Sequence, residues 1–594
     1  PPPPPPPPPS VIVVGSGIGG LCCGALLSAH NVSVTLVESH SHLGGVAHAF
    51  PVNGYSCDSG PSLWAGCAVP STNPLRQVLD AAGSELPWLT YDGWGCHDLL
   101  SGDSFRVTTG PSEGGFDDVV AEFGGPGELP VWRELLSSIE PVVDSAMSCP
   151  PLALSSDPLA FLRYAFLPHL LPSILASSLS LRAPAPSLLT GPASRLLSLR
   201  SPPPPPGSFV SRYLDYLSFA LSGLPASGTV GAAVAYTLGD LHHGGAFLDY
   251  PKGGSGAVAE ELANAIRRGG GRVLTGRHVE EILLEGGRAA GVRLRGGEVL
   301  RASEAVVSNA DIWRTRELVP TLSSPWAERA NATKPTPSFV HLWVGFDAAG
   351  IPPDLDCHHS VFNKGLLGPS AAPIDAPENF HIVSIPTLFD PSLAPEGRHL
   401  AHVYAAATAD YADWEGMDRG SEEYKAKKAA AADVLWASLE AIIPDVRERA
   451  SAARVGGPRN VMVTVGTPLT HERFNRRHRG SYGPGGGREL GDMRAFSDGR
   501  VGGVDNLYTV GDSNFPGIGV PAAAASGILV ANAIAGMEKQ GRLLGEMRGR
   551  GLLKKGKGWW EEAARLRPNI VKGGRIKVGG GLDVIGGRRT DNEE

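Results

Sequence analysis

The first apolar run, Val11-Ile12-Val13-Val14, passes straight into Gly15-Ser16-Gly17-Ile18-Gly19-Gly20 and then into Leu21-Cys22-Cys23-Gly24-Ala25-Leu26-Leu27. Four apolar residues without polar alternation predict a strand buried on both faces, and the stretch after the glycines predicts a helix. Asn31 to Glu38 adds a turn and a second buried strand that ends on a carboxylate. Similar patterning returns late in the chain. Ala257 to Arg268 places Val258, Leu262 and Ile266 on one helical face, strand-like runs follow at 272–275, 278–284, 290–294 and 304–310, and Asp505 to Ser513 leads into an Ala-rich helix ending near Ile534. Two such blocks so far apart predict a nucleotide domain split in sequence.

Between the blocks the pattern changes. Helices are expected from Asn73 to Ala82 and from Pro130 to Ser148, strands over Phe339–Phe346, His381–Ile385 and Leu400–Ala405, and a charged amphipathic helix from about Ser421 to Ile443. Phe161 to Leu175 is rich in apolar residues but carries Arg163, Pro168 and Pro172, so it falls short of the ~20 apolar residues of a spanning helix. A membrane interface, the wall of an apolar tunnel and a plain pair of core helices all fit it.

The glycine cluster carries the first chemistry. Gly15 and Gly17 allow a tight turn with close backbone approach, Gly20 lets the helix pack on the strand, and the helix start faces a pyrophosphate. Glu38 stands near the ~20-residue offset at which a carboxylate holds a ribose hydroxyl. Gly44-Gly45 and Asp58-Ser59-Gly60 are further turns where backbone can approach a ligand. Gly511-Asp512, followed by Phe515-Pro516-Gly517-Ile518-Gly519-Val520-Pro521, predicts a second helix start aimed at a ligand. Its partial positive charge would stabilise an anionic electron sink, with the Asp512 carboxylate on a sugar-like hydroxyl.

Composition bounds the rest. At 594 residues the chain calls for two or more domains, and a formal charge of −8 gives no basic excess for nucleic acid. Seven cysteines (Cys22, Cys23, Cys57, Cys67, Cys96, Cys149 and Cys357) are odd in number and lack C-x-x-C spacing, which fits a reducing compartment rather than a disulfide framework or a zinc site. The pairs His242-His243 and His358-His359 lack metal-site spacing and acidic company and are expected to take surface or packing roles; no metal is expected. The basic run Arg473 to Arg479 reads as a solvated loop, with anionic lipid the alternative. The nine leading prolines predict an extended spacer, Pro202 to Pro206 a second one, and a start without Met leads us to expect a processed or truncated product. No acid, base or nucleophile can be assigned.

The glycine motif with Glu38, Gly44-Gly45, Asp58-Ser59-Gly60, Tyr250-Pro251-Lys252-Gly253-Gly254 and Val510-Gly511-Asp512-Ser513-Asn514-Phe515-Pro516-Gly517-Ile518-Gly519-Val520 resemble the FAD-dependent carotenoid desaturase and isomerase family. Val465-Gly466-Thr467-Pro468-Leu469-Thr470-His471 and Arg479-Gly480-Ser481-Tyr482-Gly483-Pro484 are similar to its cis-trans isomerase branch. The resemblance covers about 10–540 and thins in the middle. It implies an α/β fold with a Rossmann-like FAD-binding domain built from 10–75, 226–320 and 455–540, an interleaved α+β substrate domain at 76–225 and 321–454, and a flexible tail at 551–594. It implies a cofactor set of Gly15, Ser16, Gly17, Gly19, Gly20, Glu38, Ser39, Gly44, Gly45, Gly60, Val279, Gly511, Asp512, Gly519, Val520 and Pro521, with the adenine beside Val279. A polyene substrate, peripheral membrane contact and a plastid location follow from the same resemblance. A desaturase or saturase, and a non-catalytic FAD- or carotenoid-binding assembly factor, remain as alternatives, and an amine oxidase fits less well.

Overall fold

A computed structural model describes residues 10–110, 115–172, 175, 191–199, 203–243, 246–451, 462–485 and 499–553. The leading prolines, Pro202 and nearly all of the expected tail lie outside the described residues.

The split nucleotide domain forms around one parallel sheet. Its strands run in the order Arg272–Leu274, Ser33–Val37, Ser10–Val14, Ala305–Ser308 and Leu507–Thr509. Val11 to Val13 are 0–1% exposed, as an unalternating run in the centre of a parallel sheet must be. Helices Ile18–Ala29, Ser255–Arg268 and Val520–Ala535 pack on one side, and the first and last approach so closely that a Cβ on Gly527 would lie 2.6 Å from the Gly19 carbonyl oxygen. The other side is covered by a meander, Val279–Glu285, Arg288–Leu294 and Val299–Arg301, with Trp313 and Trp326.

The second domain is a seven-stranded sheet in the order Met462–Gly466, Ser338–Asp347, Arg398–Ala409, Phe380–Ser384, His358–Phe362, Gly93–Asp98, Ser104–Thr108. Neighbours are antiparallel except His358–Phe362, which runs parallel to Gly93–Asp98. Alternation along Ser338–Asp347 sends Val340, Leu342 and Val344 into the core under helix Glu422–Glu440, and Phe339, His341 and Trp343 to the opposite face. Helices Glu128–Ser148, Phe209–Ser222 and Gly231–His242 pack together beside it.

Two elements fall across the boundaries drawn from sequence. Met462–Gly466, placed there in the nucleotide block at 455–540, pairs with Ser338–Asp347 because its register sets Thr464 opposite Trp343. Gly231–His242, placed in 226–320, packs on Glu128–Ser148, with Gly239 against Val143. Of the surface and packing roles expected for the paired histidines, His242, His358 and His359 take packing ones, each being buried.

Candidate functional site

The loop after Val14 is shaped by contacts that only glycine tolerates. Gly15 has φ +95° and donates its N–H to the Val37 carbonyl at 2.8 Å. A Cβ on Gly17 would lie 2.4 Å from Asn309 Nδ2, one on Gly19 2.7 Å from the Gly511 nitrogen, and one on Gly20 2.4 Å from the Gly15 carbonyl oxygen. Helix Ile18–Ala29 therefore starts from Gly17, which has no side chain to cap it, and Asn309 Oδ1 instead accepts the Gly20 N–H at 2.9 Å. Asn309 follows directly on strand Ala305–Ser308, and nothing in its sequence neighbourhood singles it out.

Glu38 closes the other side. Its Oε2 accepts Ser16 N–H at 2.8 Å and Ser16 Oγ–H at 2.7 Å, and its Oε1 accepts the His40 N–H at 2.7 Å. Gly44, with φ +114°, donates to the Ser16 carbonyl at 3.0 Å and bridges to Gly17, while Gly45 approaches Gly17 Cα so that a Cβ would lie 3.0 Å away. The glycine pair is thus locked onto the first loop.

The far end of the chain arrives at the same place. Gly511, with φ +105°, donates its N–H to Ser526 Oγ at 2.8 Å, and helix Val520–Ala535 starts from Gly519 at φ +109° with no side-chain cap. Asp512 Oδ2 accepts Arg477 Nη2–H at 2.6 Å, which leaves Oδ1 with only a 3.5 Å contact from Ser513. Within the basic run 473–479, expected to be solvated, Arg477 alone turns inward to Asp512, while Arg473 and Arg476 are exposed as expected. The Arg477 side chain is 13% exposed, whereas Arg473, Phe474 and Arg476 line the cavity and still keep surface exposed to solvent.

All of the expected cofactor residues except Gly20 line one cavity of about 1920 Å³, including Ser39, Gly60, Val279, Val520 and Pro521. Gly20 instead serves packing, since its missing side chain is filled by Gly15 and Asn309. The residues fit a flavin dinucleotide: two helix starts that follow glycine and a cradle without Cβ atoms face a space framed by Glu38 and Asp512.

Beyond the cradle the cavity is walled by rings. Tyr482, Phe339 and His341 line it and stack in sequence at 5.1 and 5.3 Å between centroids, with His471 at 5.7 Å from His341; Trp343 lies 5.1 Å from His341, and His402 4.8 Å from Trp343. Burial holds His341 down to about 3 and His471 well below its ordinary value, so both imidazoles are neutral. The opposite wall is helical and apolar, with Leu217, Leu221, Val230 and Ala233. Phe161 and Leu170 join that wall, while Leu159, Leu162 and Leu167 on the same segment are 69%, 44% and 50% exposed. This segment is therefore no core helix pair. Among the described residues no helix is long and apolar enough to cross a membrane, and no group of His, Cys, Asp or Glu is arranged to hold a metal.

The family model for flavin containing amine oxidoreductases matches residues 18–535. Prolycopene isomerase 1, chloroplastic, from an Oncidium hybrid cultivar is 30% identical over 549 residues, covering 89% of this chain and 85% of that protein. The zeta-carotene-forming phytoene desaturase of Myxococcus xanthus is 27% identical over 532 residues, covering 87% and 92%. Among solved structures, an oxidoreductase from Methanosarcina mazei superposes with a TM-score of 0.53 at 16% identity, covering 87% of this chain and 98% of that one.

Proposed function

This chain belongs to the flavin containing amine oxidoreductase family and, within it, to the FAD-dependent carotenoid desaturase and isomerase group; on that premise we propose that it is a carotenoid cis-trans isomerase acting on a poly-cis polyene such as prolycopene. One observation carries the reading. The cavity of about 1920 Å³ is roughly twice the ~1,000 Å³ upper range of ordinary small-molecule sites, and its second half is ringed by aromatic, imidazole and aliphatic side chains. A dinucleotide alone does not account for that space, whereas a dinucleotide and a long hydrocarbon do.

The cofactor is FAD. When bound, it supplies electron density that lowers the bond order of a polyene and takes it back, leaving only geometry changed. The chain's own residues prepare that event. Glu38 would hold the adenosine ribose, Gly15, Ser16, Gly17 and Gly19 the pyrophosphate, Ser39 and Val279 the adenosine end, and Gly44, Gly45, Gly60 and Gly511 to Pro521 the flavin end. The start of helix Val520–Ala535 favours negative charge placed before it. Neutral His341 and His471 keep charge away from an apolar chain, and the stacked rings exclude water. Leu159, Leu162, Leu167 and Leu175 give the outer face of the cavity wall an apolar surface for peripheral contact with a membrane, in the plastid named for the Oncidium relative.

The likeness to the Myxococcus xanthus desaturase supports a second reading, desaturation or saturation on the same scaffold. The purified flavoprotein, incubated anaerobically with poly-cis lycopene and a reductant, separates the two. An unchanged mass with altered chromatographic retention supports isomerisation, and a change of about 2 Da supports the redox reading instead. Bound flavin without turnover of any polyene would favour a binding protein and overturn both.

A further inference from the structure

A carboxylate stands in the helical wall of the cavity. Helix Gly231–His242 turns Ala233, Tyr236, Thr237, Asp240 and Leu241 toward the cavity, and Asp240 is the one carboxylate on that face. Asp240 lies inside the protein, and the surface it keeps opens on the cavity; it makes no hydrogen bond or ion pair among the described residues. Burial alone raises its carboxyl to about 6. Among the described residues no cation pairs with it. Arg76 is engaged by Asp80 at 2.6 Å and by the Cys67 carbonyl at 2.8 Å, and Asp249, 0% exposed, spends Oδ2 on the N–H groups of Cys67 and Ala68 while its Oδ1 has no partner. Cys67, Thr72, Asn73 and Thr237 complete a polar recess in the cavity wall.

A hydrocarbon in this cavity would leave Asp240 desolvated and unpartnered, which costs more than leaving the cavity to water. A hydroxyl on the end of the chain offsets that cost, since its O–H donates to the carboxyl oxygen. We propose that the substrate of this site is a polyene bearing a hydroxyl at one end, and that Asp240 binds the hydroxyl and sets how far the chain enters. This rests on reading the cavity as a polyene site, and it ranks a hydroxylated polyene above the hydrocarbon prolycopene as the preferred ligand.

The test is binding without turnover. The flavin-loaded protein, kept oxidised and free of reductant, is titrated with lycopene and with a lycopene hydroxylated at one terminal carbon, following the absorbance shift of the bound polyene. The alcohol should bind at least tenfold tighter to the wild-type chain. Asp240→Leu should erase the preference while still binding lycopene, and Asp240→Asn, which keeps a donor and an acceptor, should retain most of it. Equal binding of the two polyenes by wild type, or an undiminished preference in Asp240→Leu with flavin retained, overturns the role of Asp240 and leaves the polyene reading intact. Failure of both polyenes to bind wild-type flavoprotein overturns the polyene reading itself.

Discussion

Removing Arg477 tests how the far end of the site is held. Its guanidinium donates to Asp512 Oδ2 at 2.6 Å, to the Ser481 carbonyl at 2.8 Å and to the Tyr482 carbonyl at 3.0 Å, and the two charged side chains are 13% and 18% exposed. Arg477→Leu leaves the Asp512 carboxylate without a counter-charge at the cavity edge. Breaking a buried pair on one side costs about 3–5 kcal/mol, and the residual exposure here places the loss near about 3 kcal/mol. With an unfolding entropy of ~2.1 cal/mol/K per residue, a chain of 594 residues loses about 2–3 °C in thermal midpoint. Flavin content should fall as well, because Asp512 loses its fixed orientation. Adding Asp512→Asn removes the orphaned charge, so the double variant should recover at least about 1.5 kcal/mol relative to the sum of the single losses. Midpoints and flavin per polypeptide across the four proteins complete the cycle. A wild-type midpoint for Arg477→Leu, or strictly additive losses, would refute the claim that this pair organises the loop.

Glu38→Ala strips the partner from Ser16 N–H, Ser16 Oγ and His40 N–H, and should lower flavin retention at least tenfold, about 1.4 kcal/mol, read as flavin remaining after gel filtration; unchanged content would sink the ribose role. Gly20→Ala drives a Cβ to 2.4 Å from a backbone oxygen and should cost about 1–3 kcal/mol, whereas Gly545→Ala, with nothing within 4 Å in helix Met537–Gly549, should gain about 0.5–1 kcal/mol by thermal melting. Burial holds His48 and His97 down to about 4, so the unfolded chain binds protons from pH 6.5 downward that the folded one refuses. Stability is therefore full above about pH 6.5 and falls toward pH 4, by about 2 kcal/mol for each of the two at pH 5; a flat melting profile between pH 7 and pH 5 contradicts this. Leu162→Glu together with Leu167→Glu should reduce co-sedimentation with lipid vesicles while flavin content stays unchanged, and equal sedimentation would remove the membrane role of this face.

The parts legible in the sequence are those that the backbone itself demands. A run such as Val11 to Val14 has one stable placement, and glycines at Gly15, Gly44 and Gly511 are required by positive φ, so strand, loop and helix start can be read locally. Glu38 is legible because its offset from the loop is fixed by one helix and one turn. Asn309 and Arg477 are not, because each acts through a contact across more than 30 residues that no local pattern encodes, and a basic run at 473–479 reads the same whether its arginines meet water or Asp512. Met462–Gly466 was assigned by its position between nucleotide segments, but edge pairing is decided by register, and its partner Ser338–Asp347 lies more than a hundred residues earlier.

Those two kinds of legibility divide the function as well. Glycine positions and helix starts specify a cofactor, and they do so for every substrate the scaffold can take, which is why the nucleotide half reads clearly and says nothing about the second ligand. The second ligand is selected by side chains that share no sequence neighbourhood: Phe339 and His341 from one strand, Leu217 and Leu221 from one helix, Phe161 and Leu170 from another, Asp240 from a fourth element. Only alternation along Ser338–Asp347 gives a local sign, since Phe339, His341 and Trp343 share a face opposite Val340, Leu342 and Val344, and the ringed face must meet something other than the aliphatic core. The Asp240 carboxylate carries more information than any of them, because the cost of leaving it unpartnered depends on what the ligand's end is made of.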